Sequence, residues 1–479
     1  MRTEHSSLFI DNLWRQGSGH LFASFDPATG EKIWEGRGAS LDDVKDAVQS
    51  ASAAFESWSN KSIEDRKGYL RAFQNAVKES KPFLAESISK ETGKPLWDSL
   101  GEAESMIHKV DISFDAYDKR CAGKVFKREK GEMILRHRPH GVVAVLGPYN
   151  FPAHLPNGHI IPALFAGNTV IFKPSEFTPL VAEEMIRLWH EAGLPAGVLN
   201  LIQGGKETGQ ALVHHPSVDG LFFTGSYSVG VLLSEAFALH PGKILALEMG
   251  GNNPLVVGEI SNIEKAANAI IHSAYLSSGQ RCTCARRLIL THGPSGDQLL
   301  TILSEMTAAL NIGPWTQTPE PFMGPVISEY HAKKIFEAEE KLIKQGGHPL
   351  VKMALMQANT GFISPGLMDV TSIIGRSDEE IFGPFLQVIR VEGFEEALQE
   401  ANRTKFGLTA GLLSEQREQY DYFYRKIKTG IVNWNTPLTG ASSALPFGGI
   451  KCSGNHRPSA YYAADYCSYP VSSHESSSI

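Results

Sequence analysis

A cysteine, a glutamate and an asparagine, far apart in a chain of 479 residues, stand where side chains could meet a substrate. Cys282 sits in SSGQRCTCARR, where glycine and glutamine precede the thiol and suggest a tight turn that presents it. Arg281, Arg286 and Arg287 predict an electropositive setting, which favours thiolate and lowers the pKa from the free value of ~8.5. A buried cysteine beside solvated arginines is the alternative. Glu248 ends the run KILALE just before two glycines. Its carboxylate there could face a cleft as a general base toward water, or close a salt bridge at a strand end. Asn150, in GPYNFP, is held between prolines. Its amide could donate to a developing oxyanion, or simply shape a turn.

Two further stretches suggest a phosphate- and ribose-binding surface. FTGSYSVG carries Gly225 and Gly230 between a predicted strand and a predicted helix, as a pyrophosphate-binding turn would. It is neither G-x-G-x-x-G nor a P-loop, which would add Lys-Ser/Thr. Lys173 and Glu176, in FKPSE, end another strand and could bond ribose hydroxyls or form a solvated surface pair. The five cysteines are odd in number and sparse, so a reducing compartment fits better than a disulfide framework. Cys282-Thr283-Cys284 lacks the second pair or clustered histidines of a zinc site, and no metal is expected.

The elements that must position these groups follow from periodicity. Ser40 with Asp43, and Ser62 with Asp65, predict capping boxes opening two helices in a first segment otherwise poor in strands. From Gly141, short apolar runs end in Gly, Pro, Asn or Ser and alternate with helical stretches such as PLVAEEMIRLWHEAG, where Gly193 can end the helix. That alternation predicts parallel β-α-β units in a doubly wound sheet, whose ligands bind at the carboxyl ends of the strands. Asn150, Lys173, Gly225 and Glu248 fall there. A second β/α stretch runs from about Asn253 to Gly449, and the tail YYAADYCSYPVSS predicts an extended arm or edge strand. The net charge of -7 argues against non-specific binding to nucleic acid or anionic membranes. No apolar run is long enough to span a bilayer and the N-terminus lacks the apolar core of a secretory signal, so a cytoplasmic protein is expected.

Taken in order, GPYNFP, FKPSE, FTGS, LEMGG, GQRC, EEIFGP and PFGG resemble the aldehyde dehydrogenase superfamily over essentially the whole chain. The resemblance implies an α/β fold in which residues 1–117 and 138–248 form a discontinuous Rossmann-type NAD-binding domain. Residues 249–450 would form an α/β catalytic domain, and 118–137 with 451–479 a small bridging or oligomerisation arm. It implies Cys282 as nucleophile, Glu248 as general base and Asn150 as oxyanion donor. Lys173 and Glu176 would grip the adenosine ribose, Gly225, Ser226 and Gly230 the pyrophosphate, and Glu380 and Phe382 the nicotinamide ribose. NAD is the implied cofactor, and a homodimer or homotetramer the implied assembly. Longer stretches, including LEMGGNNP and SGNHRPSAYYAADYC, are similar to a narrower branch whose aldehyde substrate carries two carboxylates. Arg281, Thr283, Gly440 and Ala441 are the candidates for anchoring them; a structural ion pair and an ordinary turn are the alternatives. Asn252 and Asn253 depart from the general family, where Lys-Ser is commoner, and agree with that branch. Free glutamate 5-semialdehyde as substrate, and a catalytically silent protein of the same fold, are the competing readings.

Overall fold

In a computed structural model that describes residues 6–129 and 131–477, the chain is built on two seven-stranded sheets and a smaller arm. Residues 1–5, 130, 478 and 479 of the expected domains lie outside the described residues. The first sheet runs in the order β11 (Ile244–Met249), β10 (Gly220–Gly225), β7 (Val142–Leu146), β8 (Thr169–Lys173), β9 (Leu199–Ile202), β1 (Leu8–Ile10) and β2 (Leu13–Arg15). From β11 to β9 all neighbours are parallel. Alternate residues of β7 feed two separate cores, Val143 and Val145 on one face, Val142 and Ala144 on the other. A sheet covered on both faces needs continuous apolar strands, as VVAVL and TVIFK are.

Helices supply the covers. The capping boxes Ser40/Asp43 and Ser62/Asp65 are both formed and open α1 (Leu41–Ser59) and α2 (Ile63–Thr92). Next come α3 (Leu96–Arg120), α4 (His154–Ala166), α5 (Pro179–Glu191), α6 (Lys206–Val213), α7 (Tyr227–Phe237) and α8 (Ile263–Tyr275). Gly193, two residues past α5, takes the left-handed φ of 77° that ends it. The first segment is richer in strands than expected. Besides β1 and β2 it holds the hairpin β3 (Leu21–Phe25) and β4 (Lys32–Arg37). Strands of three residues, such as LFI and LWR, carry too little alternation to be read; the pairing of β1 with β9 and of β2 with β1 creates them.

The second sheet has the order β14 (His348–Val351), β15 (Gly366–Asp369), β16 (Phe385–Val391), β13 (Arg287–Thr291), β12 (Pro254–Val257), β17 (Thr409–Leu413) and β18 (Ile431–Trp434), parallel except at β14. The tail forms β19 (Ser468–Glu475), which pairs antiparallel with β6 (Glu132–Pro139), itself paired with β5 (Lys124–Lys127). Residues 451–467, grouped with the arm in the sequence reading, do not all belong to it. Asn455 bonds Leu245 and Leu247 of β11 through its side chain and amide, and so lies against the first sheet. In that sheet β8 and β9 lie on one side of β7, β10 and β11 on the other. The reversal opens a crevice at the strands' carboxyl ends, where a doubly wound sheet takes its ligand.

Candidate active site

The crevice is a cleft of about 1200 Å³. Asn150, Lys173, Glu176, Gly225, Ser226, Glu248, Cys282, Glu380 and Phe382 all line it. Nine residues from both large sheets and their loops therefore meet in one cavity.

Cys282 follows a backbone that few sequences adopt. Ser277, Ser278 and Gly279 take φ of 52°, 56° and 69° in succession. Left-handed non-glycine residues cost of order 1–3 kcal/mol each and persist only where the surroundings hold them. Here they are held. Ser277 bonds Asp98, and Ser278 Oγ donates to Gly324 O at 2.7 Å. Arg286 donates to Gly279 O at 2.7 Å and to Arg281 O at 3.0 Å. Asn253 Nδ2 donates to Cys282 O at 2.7 Å and Cys284 O at 2.9 Å. At Gly279 any Cβ would fall 2.0 Å from Gly383 O, so only glycine fits.

The arginines do not play the part expected of them. Arg281 pairs with Asp98 at 2.7 Å, Arg286 spends its donors on loop carbonyls and lies 3.5 Å from Glu380, and Arg287 bonds three backbone carbonyls. Their charge is consumed in building the turn. Burial pushes the Cys282 thiol well above its ordinary range, Glu248, Glu380 and Cys284 raise it further, and Arg286 opposes them. The expected lowered thiol pKa is thus reversed at rest.

Glu248 is paired in register with Thr224 on β10 and is almost wholly buried. Neither carboxylate oxygen has a hydrogen-bond partner among the described residues, and the alternative salt bridge is absent there. Burial raises its pKa well above the usual carboxylate range, with Arg457 opposing. A carboxyl left unsatisfied at a strand end is poised to take a proton rather than to hold the fold. Asn150 Nδ2 donates to Gln280 O at 2.9 Å, which ties it to the loop that carries Cys282. Its second N–H has no partner among the described residues.

On the other wall, Lys173 Nζ is buried and donates to Pro174 O at 2.7 Å. Ser226 caps α7, so that helix begins in the cleft. Glu380 Oε1 is buried without a hydrogen-bond partner among the described residues. Phe382 lies under the Arg286 guanidinium at 5.2 Å.

Residues 14–471 match the model of the aldehyde dehydrogenase family. The chain belongs to that family. It is 52% identical over 474 residues to the N-succinylglutamate 5-semialdehyde dehydrogenases of Paraburkholderia xenovorans (strain LB400) and Chromobacterium violaceum (strain ATCC 12472), covering 99% of this chain and 97% of each relative. It superposes with a TM-score of 0.92 on a crystal structure of 1-pyrroline-5-carboxylate dehydrogenase from Thermus with bound NAD, at 29% identity, covering 99% of this chain and 93% of that one.

Within this aldehyde dehydrogenase, several expected residues fall elsewhere. Gly230 is not in the cleft; a Cβ there would meet Met249 Sδ at 2.1 Å, so the glycine lets α7 close on β11. Gly440 and Ala441 are exposed on a turn, and Thr283 is buried; none of the three lines the cleft. Arg281 forms the ion pair that was its alternative reading. Other residues were missed. Asp98 lies 183 positions from its partner Arg281, and no local signal announces it. Tyr149, Phe177 and His331 form an aromatic cluster on the cleft wall, again joined from distant segments. Among the described residues no group of three or more His, Cys, Asp or Glu could hold a metal ion.

Proposed function

We propose that this aldehyde dehydrogenase oxidises N-succinylglutamate 5-semialdehyde to N-succinylglutamate with NAD, a step of arginine breakdown by the succinyltransferase route. The observation that carries the chemistry is the convergence of Cys282, Glu248 and Asn150 on one cleft. The relatives' shared name supports the substrate. The cleft also fits a dinucleotide. Glu380 Oε1 is a buried acceptor without a hydrogen bond among the described residues, 3.5 Å from the Arg286 guanidinium, Lys173 has N–H donors beyond its bond to Pro174 O, and the start of α7 suits a pyrophosphate. On this reading residues 1–117 and 138–248 hold the cofactor, 249–450 carry the nucleophile, and the enzyme is a cytoplasmic homodimer or homotetramer joined through the β5–β6–β19 arm.

Cys282, once deprotonated, attacks the aldehyde carbon and a C–S bond forms. The free N–H of Asn150 and the Cys282 backbone N–H receive the oxyanion. When bound, NAD supplies the hydride acceptor. The thioester left on Cys282 is hydrolysed by water from which Glu248 takes the proton, releasing carboxylate and thiol. Steady-state NADH formation with succinylated and free glutamate 5-semialdehyde, side by side, tests the reading. A larger kcat/KM for the succinylated form is expected; the reverse order makes the free semialdehyde the substrate. No NADH from any aldehyde would make the chain a silent member of its family.

A further inference from the structure

His159 is a buried imidazole that the steps from aldehyde to carboxylate do not use. Along β10 and β11, Phe222 and Ala246 join the core on the side of α4, while Leu221, Phe223, Leu247 and Met249 join the core on the other side. Alternation therefore turns Thr224 and Glu248, which are paired in register, toward the α4 side together. Both line the cleft. His159, on α4, packs against that side with its ring stacked on Phe222 at 5.9 Å. Its Nε2 lies 3.0 Å from Thr224 Oγ1, and its Nδ1 lies 2.7 Å from the hydroxyl of Tyr466, in the tail that leads to β19.

Counting protons gives these bonds a direction. The Tyr466 phenol oxygen accepts from Ser459 N–H at 3.0 Å, so its own O–H is left to donate, and His159 Nδ1 is its acceptor. The ring N–H is then on Nε2 and donates to Thr224 Oγ1. Burial, with the charge of Lys109 second, pushes the imidazole pKa down to about 3, so the neutral ring carries one N–H. The opposite tautomer would leave the Tyr466 proton without an acceptor among the described residues. With Nε2–H donating, the proton that remains to be placed is that of Thr224. It belongs to a residue on the cleft, next to a carboxyl whose two oxygens have no hydrogen-bond partner among the described residues.

We infer that His159 and Tyr466 are positioning residues that aim the Thr224 hydroxyl at the water that hydrolyses the acyl-enzyme. The inference rests on the thioester route proposed above. Water held there accepts from Thr224, gives one proton to Glu248 and attacks the thioester carbon with its other lone pair. The C–S bond breaks, leaving the carboxylic acid and Cys282 thiolate. The full-length enzyme is mixed with saturating NAD and limiting N-succinylglutamate 5-semialdehyde. Stopped-flow absorbance then reads NADH formation, and intact mass after rapid acid quench reads the lifetime of the acyl-enzyme. Thr224→Val should lengthen that lifetime about 10-fold while NADH formation changes far less. Tyr466→Phe lets His159 take the other tautomer and draw the Thr224 proton to itself, so it should lengthen the lifetime as well. Thr224→Ser keeps the hydroxyl and should restore the wild-type lifetime. An unchanged lifetime in Thr224→Val, an equal slowing of NADH formation, or a Thr224→Ser enzyme as slow as Thr224→Val would overturn the inference. If Glu248→Gln accumulates no acyl-enzyme, the thioester route itself fails, whatever the Thr224 variants do.

Discussion

A thiol that burial keeps protonated cannot attack until its proton has somewhere to go. Cys282 and Glu248 share one cleft, both are raised by burial, and the carboxylate raises the thiol further. Because a raised thiol stays neutral past ~8.5, the rate of Cys282 alkylation by iodoacetamide should keep climbing above that pH. Glu248→Gln removes a negative neighbour, which favours thiolate, so the climb should move to lower pH; no movement would mean the two groups do not interact. The same variant cannot take a proton from water. It should release one burst of NADH comparable to the enzyme concentration and then stall, and full steady-state turnover would remove Glu248 as the base. Cys282→Ala should abolish dehydrogenase activity with NAD binding retained. Cys284→Ala should be mild, because that side chain is buried and its Sγ contacts backbone, donating to Leu276 O at 3.8 Å. A dead Cys284→Ala beside an active Cys282→Ala would reverse the assignment. On the cofactor wall, Glu176 can accept from a ribose 2′-hydroxyl but repels a 2′-phosphate. NAD should therefore exceed NADP in kcat/KM, with Glu176→Gln narrowing the gap; equal efficiencies in the wild type count against it.

At the scale of the element, the turn before Cys282 is held from outside itself. Asn253, at the start of β12, donates to the carbonyls of Cys282 and Cys284 and accepts from Thr409 N at 3.2 Å. Three bonds, two of them buried and one part-buried, at about 1 kcal/mol each make Asn253→Ala a loss of roughly 2–4 kcal/mol, read by denaturant unfolding. Activity should fall with it, since the turn that carries Cys282 loses its brace. A variant of wild-type stability would show that Arg286 suffices alone. This bracing also marks how far the sequence could be read. Runs such as TVIFK and capping residues such as Ser40 and Asp43 act within a few positions, so the parallel sheet and its first helices were legible. LEMGG placed Glu248 in the cleft because a strand end followed by glycines leaves a mark in one segment, and in GQRC the glycine before Cys282 marked its turn. What joins distant segments leaves none. Asp98 neutralising Arg281, Asn253 bracing Cys282 and the aromatic cluster around His331 arise only when the two sheets come together. The arginines misled for the same reason: in sequence they surround the thiol, whereas in space their charge goes to carboxylates and carbonyls.

At the scale of the whole molecule, the arm is the part least explained by a single chain. All four residues of β5 are exposed, among them Val125 at 56% and Phe126 at 51%. β5 closes one side of a three-stranded sheet whose other side is β19, which is largely exposed as well. Such edges, with unpaired backbone groups and apolar side chains, are a liability that proteins cover. A second copy of the chain is the occupant that the proposed homodimer or homotetramer supplies, and isologous pairing would bury both arms at once. Phe126→Lys places a charge on that edge while touching neither large sheet. Sedimentation velocity should then show the wild-type dimer or tetramer shifting toward monomer, with the thermal transition lowered as the contact is lost. If the wild type sediments as a monomer, or if Phe126→Lys leaves the assembly intact, this edge does not carry it and another face must join the subunits.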